Sequence, residues 1–193
     1  SSQTISRVEK LDEDFQWSKR KHRLVNQIRV LDADVISLVE LDQYDAFVEA
    51  LSDTWESVFH KRPRAVSHDG CGVFWRRSKF TLAAKEAFDF VDEADERGGM
   101  KRDRSCLMVM LRWRACGTPL VVVSTHLAKN PDDRAMTAIR VRQVMQIMEG
   151  LTDFTAQTGA ADSPVVLLGD LNARHFAEIR GLARTVWQGR GSP

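Results

Sequence analysis

Side chains that can act as acids, bases or metal ligands stand at the carboxyl ends of three apolar runs. Glu40, His126 and the pair Asp170 and Asn172 each close such a run, over residues 34–40, 120–126 and 164–172. A strand interior does not keep an unpaired charge, and ligands of α/β folds bind at the carboxyl edge of the sheet. We therefore predict that these four side chains share one rim. The alternative is that each merely ends its strand in water.

The four residue types suit phosphate chemistry. Glu40 and Asp170 can share a divalent cation, and an oxygen donor set without a thiol pair favours Mg²⁺, with Mn²⁺ as an alternative. Such a cation polarises a phosphoryl oxygen. His126 can donate a hydrogen bond to a non-bridging oxygen, and Asp170 can orient or deprotonate a water molecule.

The spacing of apolar residues predicts the elements that position these groups. Helical spacing occurs over residues 17–31, from Tyr44 to Leu51, after Asp133, and from Phe176 to Val186. Apolar strands are predicted near residues 34–41, 55–61, 71–75, 80–90, 105–113, 120–127 and 164–171, and the three that carry the polar groups are expected to be buried. Helices separate some strands and turns separate others. This order predicts an α/β fold of two packed mixed β-sheets flanked by helices.

Composition narrows the class of protein. The 193 residues suffice for one domain with a substantial core, and no internal boundary is visible, so residues 1–193 are expected to belong to a single domain. A net charge of +1 gives no overall attraction to polyanions. The three cysteines form no CxxC pair, which favours a reduced, intracellular and cytoplasmic setting. No apolar run approaches the roughly 18 residues of a membrane span, so we expect no membrane partner.

Four segments together resemble the endonuclease/exonuclease/phosphatase family with the DNase I-like fold. They read DVISLVELDQYDAF, DGCGVFWRRSKF, VVVSTHL and PVVLLGDLNA, in that family's order and at compatible spacings. Within the family the likeness is greatest to the nocturnin and cytoplasmic deadenylase branch, whose Trp-x-x-Arg-Lys resembles residues 17–21. The resemblance implies a four-layer sandwich of two sheets and flanking helices.

The resemblance also implies roles for single residues. Glu40 matches the family's metal-binding glutamate, Asp170 and Asn172 match its Asp-x-Asn pair, and His126 matches its phosphate-side histidine. Three further positions are implied as contacts to substrate phosphate: Lys61, Arg104 and Arg140. Arg140 and Gln143 resemble an Arg-x-x-Gln of the family, but a solvated helix face explains them equally well.

Several features depart from the family pattern. Val39 stands where the family usually has glutamine, and Arg104 stands where asparagine is common. The family's opening strand would precede Ser1 and its closing Ser-Asp-His would follow Pro193, and His175 does not match that histidine. We therefore expect a partial domain, inactive as an isolated polypeptide.

The resemblance favours a Mg²⁺-dependent phosphoric ester hydrolase, and within that class a 3′ exoribonuclease similar to deadenylases, with RNA as its substrate. Two alternatives stay open: a nocturnin-like dinucleotide 2′-phosphatase, and a non-catalytic relative that binds a phosphorylated ligand or a protein. Protein partners are not indicated.

Other basic and aromatic residues allow weaker interpretations. A set of cations can line a groove for a polyphosphate or can merely solvate loops: Arg62, Arg64, Arg76, Arg77, Lys101, Arg102 and Arg104. Trp75 and Trp113 are expected in the core because they stand within strands, although a tryptophan can also stack on a base.

Overall fold

The structure, a computed structural model, describes residues 16–91 and 103–173. The predicted helix from Phe176 and the residues Lys101, Arg102 and His175 lie outside these ranges. In chain order the elements are α1 (Trp17–Leu31), β1 (Val35–Leu38), α2 (Tyr44–Leu51), β2 (Trp55–Lys61), β3 (Gly70–Arg76), β4 (Phe80–Asp89), β5 (Ser105–Trp113), β6 (Pro119–His126), α3 (Arg134–Gln157) and β7 (Val165–Asp170).

The strands form two sheets, which confirms the predicted fold class. The first sheet has the order β1-β3-β2 and is antiparallel throughout the described residues. The second has the order β4-β5-β6-β7 and is mixed, because β6 and β7 run parallel while the other pairs are antiparallel. A parallel pair needs a crossover, and α3 supplies it between β6 and β7.

Alternation along β5 shows how the layers stack. Leu107 and Val109 belong to the apolar cluster shared with the first sheet, whereas Met108 and Met110 belong to the cluster formed with α3. Because side chains of a strand alternate between its two faces, the second sheet is covered on one face by the first sheet and on the other by α3.

The outer face of the first sheet is covered by the two N-terminal helices. Ile28 of α1, Phe47 and Leu51 of α2 and Phe74 of β3 share one buried cluster. The layers are therefore α1 with α2, the first sheet, the second sheet and α3. None of the helices in the described part of the chain has the length and apolar character required to cross a bilayer.

Burial differs among the three strands that were expected in the core. Val121, Val122 and Val123 of β6 are fully buried, as predicted. The prediction is wrong for β1 and β7, whose residues are partly exposed. The reason is that each of these two strands has a single strand partner within residues 16–91 and 103–173, so one of its edges is left uncovered there.

Candidate functional site

The parallel pairing of β6 with β7 places His126 beside Asp170. The two residues are register partners, and the N–H of Leu127 donates to the carbonyl of Asp170 at 2.9 Å. The imidazole Nε2 lies 3.7 Å from Asp170 Oδ2. The carboxylate is half-exposed while the imidazole is buried. A histidine and an aspartate thus meet at one end of the second sheet.

Glu40 reaches the same place from the other sheet. It lies two residues beyond β1, and the neighbouring N–H of Leu41 donates to the carbonyl of Gly70 in β3 at 3.1 Å. Its Oε1 lies 3.7 Å from His126 Nδ1 and 3.7 Å from Lys129 Nζ. The site therefore lies where the ends of the two sheets meet, and the Glu40 side chain is 54% exposed there.

Asn172 holds the end of β7 against the end of β6. Its backbone N–H donates to Asp170 Oδ1 at 2.9 Å, and its Nδ2 donates to the carbonyl of Leu127 at 2.9 Å. The first bond fixes the rotation of the Asp170 carboxylate. Oδ2 of Asp170 is consequently the oxygen that faces His126.

The backbone adopts left-handed conformations at three positions around the site. Glu40 has φ 53°, Asn172 has φ 48° and Gly169 has φ 127°. Residues other than glycine seldom adopt positive φ, and such conformations cluster at functional sites. Gly169 also lies against β6, since a Cβ there would stand 1.8 Å from the carbonyl oxygen of Thr125. Only glycine fits at this position.

Arg104, implied by the resemblance as a phosphate contact, is buried behind His126. It is 4% exposed, and one terminal nitrogen lies 3.0 Å from His126 Nδ1. Its Nε has no hydrogen-bond partner among the described residues. A cavity of about 10 Å³ adjoins it, lined also by Glu40, Cys71 and Arg62. Burial lowers the pKa of Arg104, and the neighbouring charge of Arg62 adds to this.

The environment of His126 favours the neutral ring. Burial is the main cause that lowers the pKa of His126, and the positive charge of Arg104 lowers it further. The carboxylates of Asp170 and Glu40 act in the opposite direction without overcoming these effects.

Lys61 is the last residue of β2 and Arg62 follows it, at the same end of the first sheet as Glu40. Arg62 is buried and pairs with Asp69 at 3.2 Å and with Asp103 at 2.8 Å, so it stabilises loops. Lys61 is exposed, and its Nζ donates to the carbonyls of Arg62 and Arg64. Lys61 therefore lies near the site with its ammonium group directed at its own loop.

Arg140 contacts backbone rather than an open site. It is 3% exposed, and its guanidinium donates to the carbonyls of Ala128, Lys129 and Asn130 and to Thr137 Oγ1. Gln143 is also buried, and its Oε1 accepts from the N–H of Ala128. The solvated-face interpretation of both residues is wrong. The two side chains fix the loop that follows His126, because its backbone groups lack strand partners.

Arg76 and Arg77 do not share a groove with Arg62 and Arg104. Arg76 pairs with Asp34 at the start of β1, which is the end of that strand remote from Glu40. Arg77 donates to the carbonyl of Ser52. Of the two tryptophans, Trp75 is buried as expected, whereas Trp113 is 49% exposed at the far end of β5.

The donor set fits a hard cation held by few protein ligands. Within the two described ranges no group of three or more His, Cys, Asp or Glu side chains could hold a metal ion. Mg²⁺ does not require three such side chains, because one or two carboxylates together with water and substrate phosphate complete its coordination shell. Among the described residues, the exposed carboxylate of Glu40 lies 3.7 Å from His126 Nδ1 and from Lys129 Nζ, so its oxygens are available for this purpose.

Comparison with known proteins gives a family match over most of the chain. A model described as Endonuclease/Exonuclease/phosphatase family matches residues 15–191. The CCR4-Not complex 3'-5'-exoribonuclease subunit Ccr4 of Phaeosphaeria nodorum is 28% identical over 165 residues, which cover 73% of this chain and 27% of that protein. The chain thus spans about a quarter of the length of the curated exoribonuclease subunits that it matches.

Solved structures share the fold. The human Nocturnin catalytic domain with bound sulfate superposes with a TM-score of 0.71 at 21% identity, covering 86% of this chain and 61% of that one. ANGEL2, described as a 2',3'-cyclic phosphatase and bound to adenosine-2',3'-vanadate, gives a TM-score of 0.71 at 23% identity, with 92% and 56% covered.

Proposed function

Because this chain belongs to the endonuclease/exonuclease/phosphatase family, we propose that it is part of a phosphoric ester hydrolase that shortens RNA from its 3′ end. We propose that residues 1–193 belong to a single domain of that type. The observation that carries the proposal is the meeting of Glu40, His126 and Asp170 at one end of the two sheets. The named activity of the Ccr4 relatives supplies the substrate class.

Asp170 and His126 have different roles in hydrolysis of the phosphate ester. Asp170 Oδ2 accepts a hydrogen bond from the attacking water and takes up its proton as the water oxygen bonds to phosphorus. The bond from phosphorus to the ester oxygen breaks, and the leaving oxygen takes a proton from solvent water. His126 Nε2 lies on the same side and donates to a non-bridging phosphate oxygen, where negative charge develops.

Asn172 has a supporting role in this scheme. Its backbone N–H holds Asp170 Oδ1, and its amide holds the Leu127 carbonyl, so it keeps the ends of β6 and β7 in register. Correct orientation of a catalytic base matters because small displacements of the reacting atoms reduce the rate strongly.

Glu40 is the residue that we assign to the metal ion. Enzymes of this family generally depend on divalent metal ions, and the carboxylate chemistry favours Mg²⁺. When bound, the cation supplies electrostatic stabilisation of the phosphoryl oxygens. Glu40 itself lies beside Lys129 and His126 at the open end of the site.

The test compares three substrates with the full-length protein. They are a 5′-labelled RNA that ends in adenosines, the same RNA with a 2′,3′-cyclic phosphate, and a dinucleotide with a 2′-phosphate. Each is incubated with Mg²⁺ and, separately, with excess EDTA. We expect stepwise shortening of the first RNA from its 3′ end, with Mg²⁺ only.

The other outcomes separate the alternatives. Release of phosphate from the dinucleotide without RNA shortening would replace the proposal with a 2′-phosphatase. Opening of the cyclic phosphate alone would indicate end processing. No turnover of any of the three substrates by a folded protein would favour a non-catalytic relative.

A further inference from the structure

The contact between Arg104 and His126 determines which imidazole nitrogen carries a proton. One terminal guanidinium nitrogen of Arg104 lies 3.0 Å from His126 Nδ1. A guanidinium has five N–H donors and no acceptor, and it stays protonated in proteins. Nδ1 must therefore accept this hydrogen bond, and the proton of the neutral ring must reside on Nε2.

The surrounding charges leave Arg104 free to make this bond. The carboxylates of Asp69 and Asp103 are hydrogen-bonded by Arg62, and Asp103 Oδ2 lies 3.7 Å from Arg104 Nε. Arg104 therefore has no carboxylate within hydrogen-bond distance among the described residues. The described side chain to which Arg104 is hydrogen-bonded is His126.

Direct contact between Arg104 and substrate does not fit its position. The side chain is 4% exposed, and the adjoining cavity of about 10 Å³ is close to the minimum needed for one water molecule. A phosphate group is several times larger than water. Arg104 therefore acts on substrate only through another side chain.

We propose that Arg104 is a positioning residue that fixes His126 as the Nε2–H tautomer and directs this N–H to the side of Asp170. The importance of the tautomer for hydrolysis rests on the function proposed above. With Nδ1 occupied, His126 serves as a hydrogen-bond donor to the phosphate. Proton acceptance is left to Asp170.

The tautomer can be read directly in the full-length protein by long-range ¹H–¹⁵N correlation of the histidine rings. A His126→Gln variant assigns the signals of this ring. We expect a protonated Nε2 and an unprotonated Nδ1 in the parent protein. A protonated Nδ1 would overturn the proposal without any need for an arginine variant.

Three variants then test whether Arg104 is the cause. Arg104→Met removes the donor and is expected to give a mixture of tautomers, whereas Arg104→Lys keeps a cationic donor and is expected to retain Nε2–H. The matched control Arg76→Met removes a guanidinium that pairs with Asp34 at the end of the first sheet remote from Glu40, so it should leave the tautomer unchanged.

Folding of each variant is checked by the dispersion of its amide spectrum. An unchanged tautomer in folded Arg104→Met, or an equal change in Arg76→Met, would overturn the proposal. If Arg104→Met does not fold, the parent spectrum and that of Arg104→Lys test the proposal. Loss of Nε2–H in folded Arg104→Lys counts against the proposal, and retention of Nε2–H supports it.

Kinetics supply a second measurement. A residue that acts through an oriented neighbour typically changes activity by about 10–100-fold. We expect this loss in kcat for Arg104→Met, with KM changed less than about threefold, and partial recovery in Arg104→Lys. A parent protein with the Nε2–H tautomer but no hydrolysis would refute the proposed function alone. Hydrolysis with a protonated Nδ1 would refute the tautomer proposal alone.

Discussion

At the scale of single residues, the hydrogen bonds that each polar group already makes determine which of its atoms are available for chemistry. Asp170 uses one oxygen for the Asn172 N–H and presents the other to His126. His126 has one nitrogen bonded to Arg104 and the other directed towards Asp170. Glu40, whose ion-pair contacts within residues 16–91 and 103–173 are both at 3.7 Å, is the least constrained of the three.

The available carboxylate oxygens of Glu40 lead to a prediction about metal dependence. Glu40→Gln keeps the shape of the side chain and removes its charge. A metal ion supplies several kcal/mol of transition-state stabilisation, so we expect RNA hydrolysis to fall by about 100-fold or more. The measurement is kcat/KM of the full-length protein over a Mg²⁺ titration.

The control is Glu49→Gln, which changes an exposed carboxylate of α2 that pairs with Lys21 outside the site. It should retain parental activity. Undiminished hydrolysis by Glu40→Gln, or hydrolysis in excess EDTA, would show that Glu40 is not a metal ligand.

At the scale of elements, the site depends on the geometry of strand ends. β6 and β7 must run parallel to bring His126 beside Asp170, and α3 makes that possible as the crossover. Arg140 and Gln143 of α3 in turn hold the loop that follows His126. The helix thus connects the two strands and also shapes the loop between them.

Gly169 allows the close approach of β7 to β6 and provides a prediction about stability. Gly169→Ala would place a methyl group 1.8 Å from the Thr125 carbonyl oxygen, so the strand end must move. We expect a loss of about 2–4 kcal/mol in the free energy of unfolding. Activity should also fall, because Asp170 is the next residue. Urea titration and kcat of the same preparation measure both effects.

Gly159→Ala is the matched comparison. Gly159 also has positive φ, at 66°, but a Cβ there would have no atom of the described residues within 4 Å. Its substitution should cost only the conformational penalty of about 1–2 kcal/mol and leave kcat unchanged. Equal effects of the two alanines would show that the contact with Thr125 does not govern the site.

At the scale of the whole molecule, polar contacts between the sheets accompany the apolar core. Ser37 of β1 and Ser124 of β6 are hydrogen-bonded at 2.7 Å, and His60 of β2 is bonded to Asp89 of β4 at 3.0 Å. These contacts fix one sheet relative to the other. Their position matters because Glu40 approaches the site from the first sheet and Asp170 from the second.

Packing of the sheets leads to a prediction about thiol reactivity. Cys71 lies between the sheets and Cys106 between the second sheet and α3, and burial raises the pKa of Cys71 to about 11 and that of Cys106 well above its ordinary value. Cys116 is exposed, and a hydrogen bond with Thr118 lowers its pKa. A thiolate is the reactive form, so below pH 8 alkylation should modify Cys116 rapidly.

Peptide mapping by mass spectrometry measures the rate at each cysteine. Cys71 and Cys106 should react only at the rate of global unfolding, and raising the pH towards 11 should accelerate Cys71 only if the core opens. Cys116→Ser should abolish the fast reaction. Rapid labelling of Cys71 in the folded protein would show that the cavity beside Arg104 opens readily to solvent.

The sequence by itself determined the helices, the strands and the residues that close them. The periodicity of apolar residues indicated α1 and α2. The polar ends of the apolar runs indicated Glu40, His126 and Asp170. Both signals can be read locally, because hydrophobic spacing and the cost of burying a charge depend on neighbouring residues in the sequence. Tertiary structure alone decided the partners of the cations. Arg104 and Arg140 look like surface residues in the sequence, yet both are buried, because their acceptors, His126 and the carbonyls of the loop after it, belong to other segments. Such pairings depend on how distant strands and loops meet, and no local pattern records that.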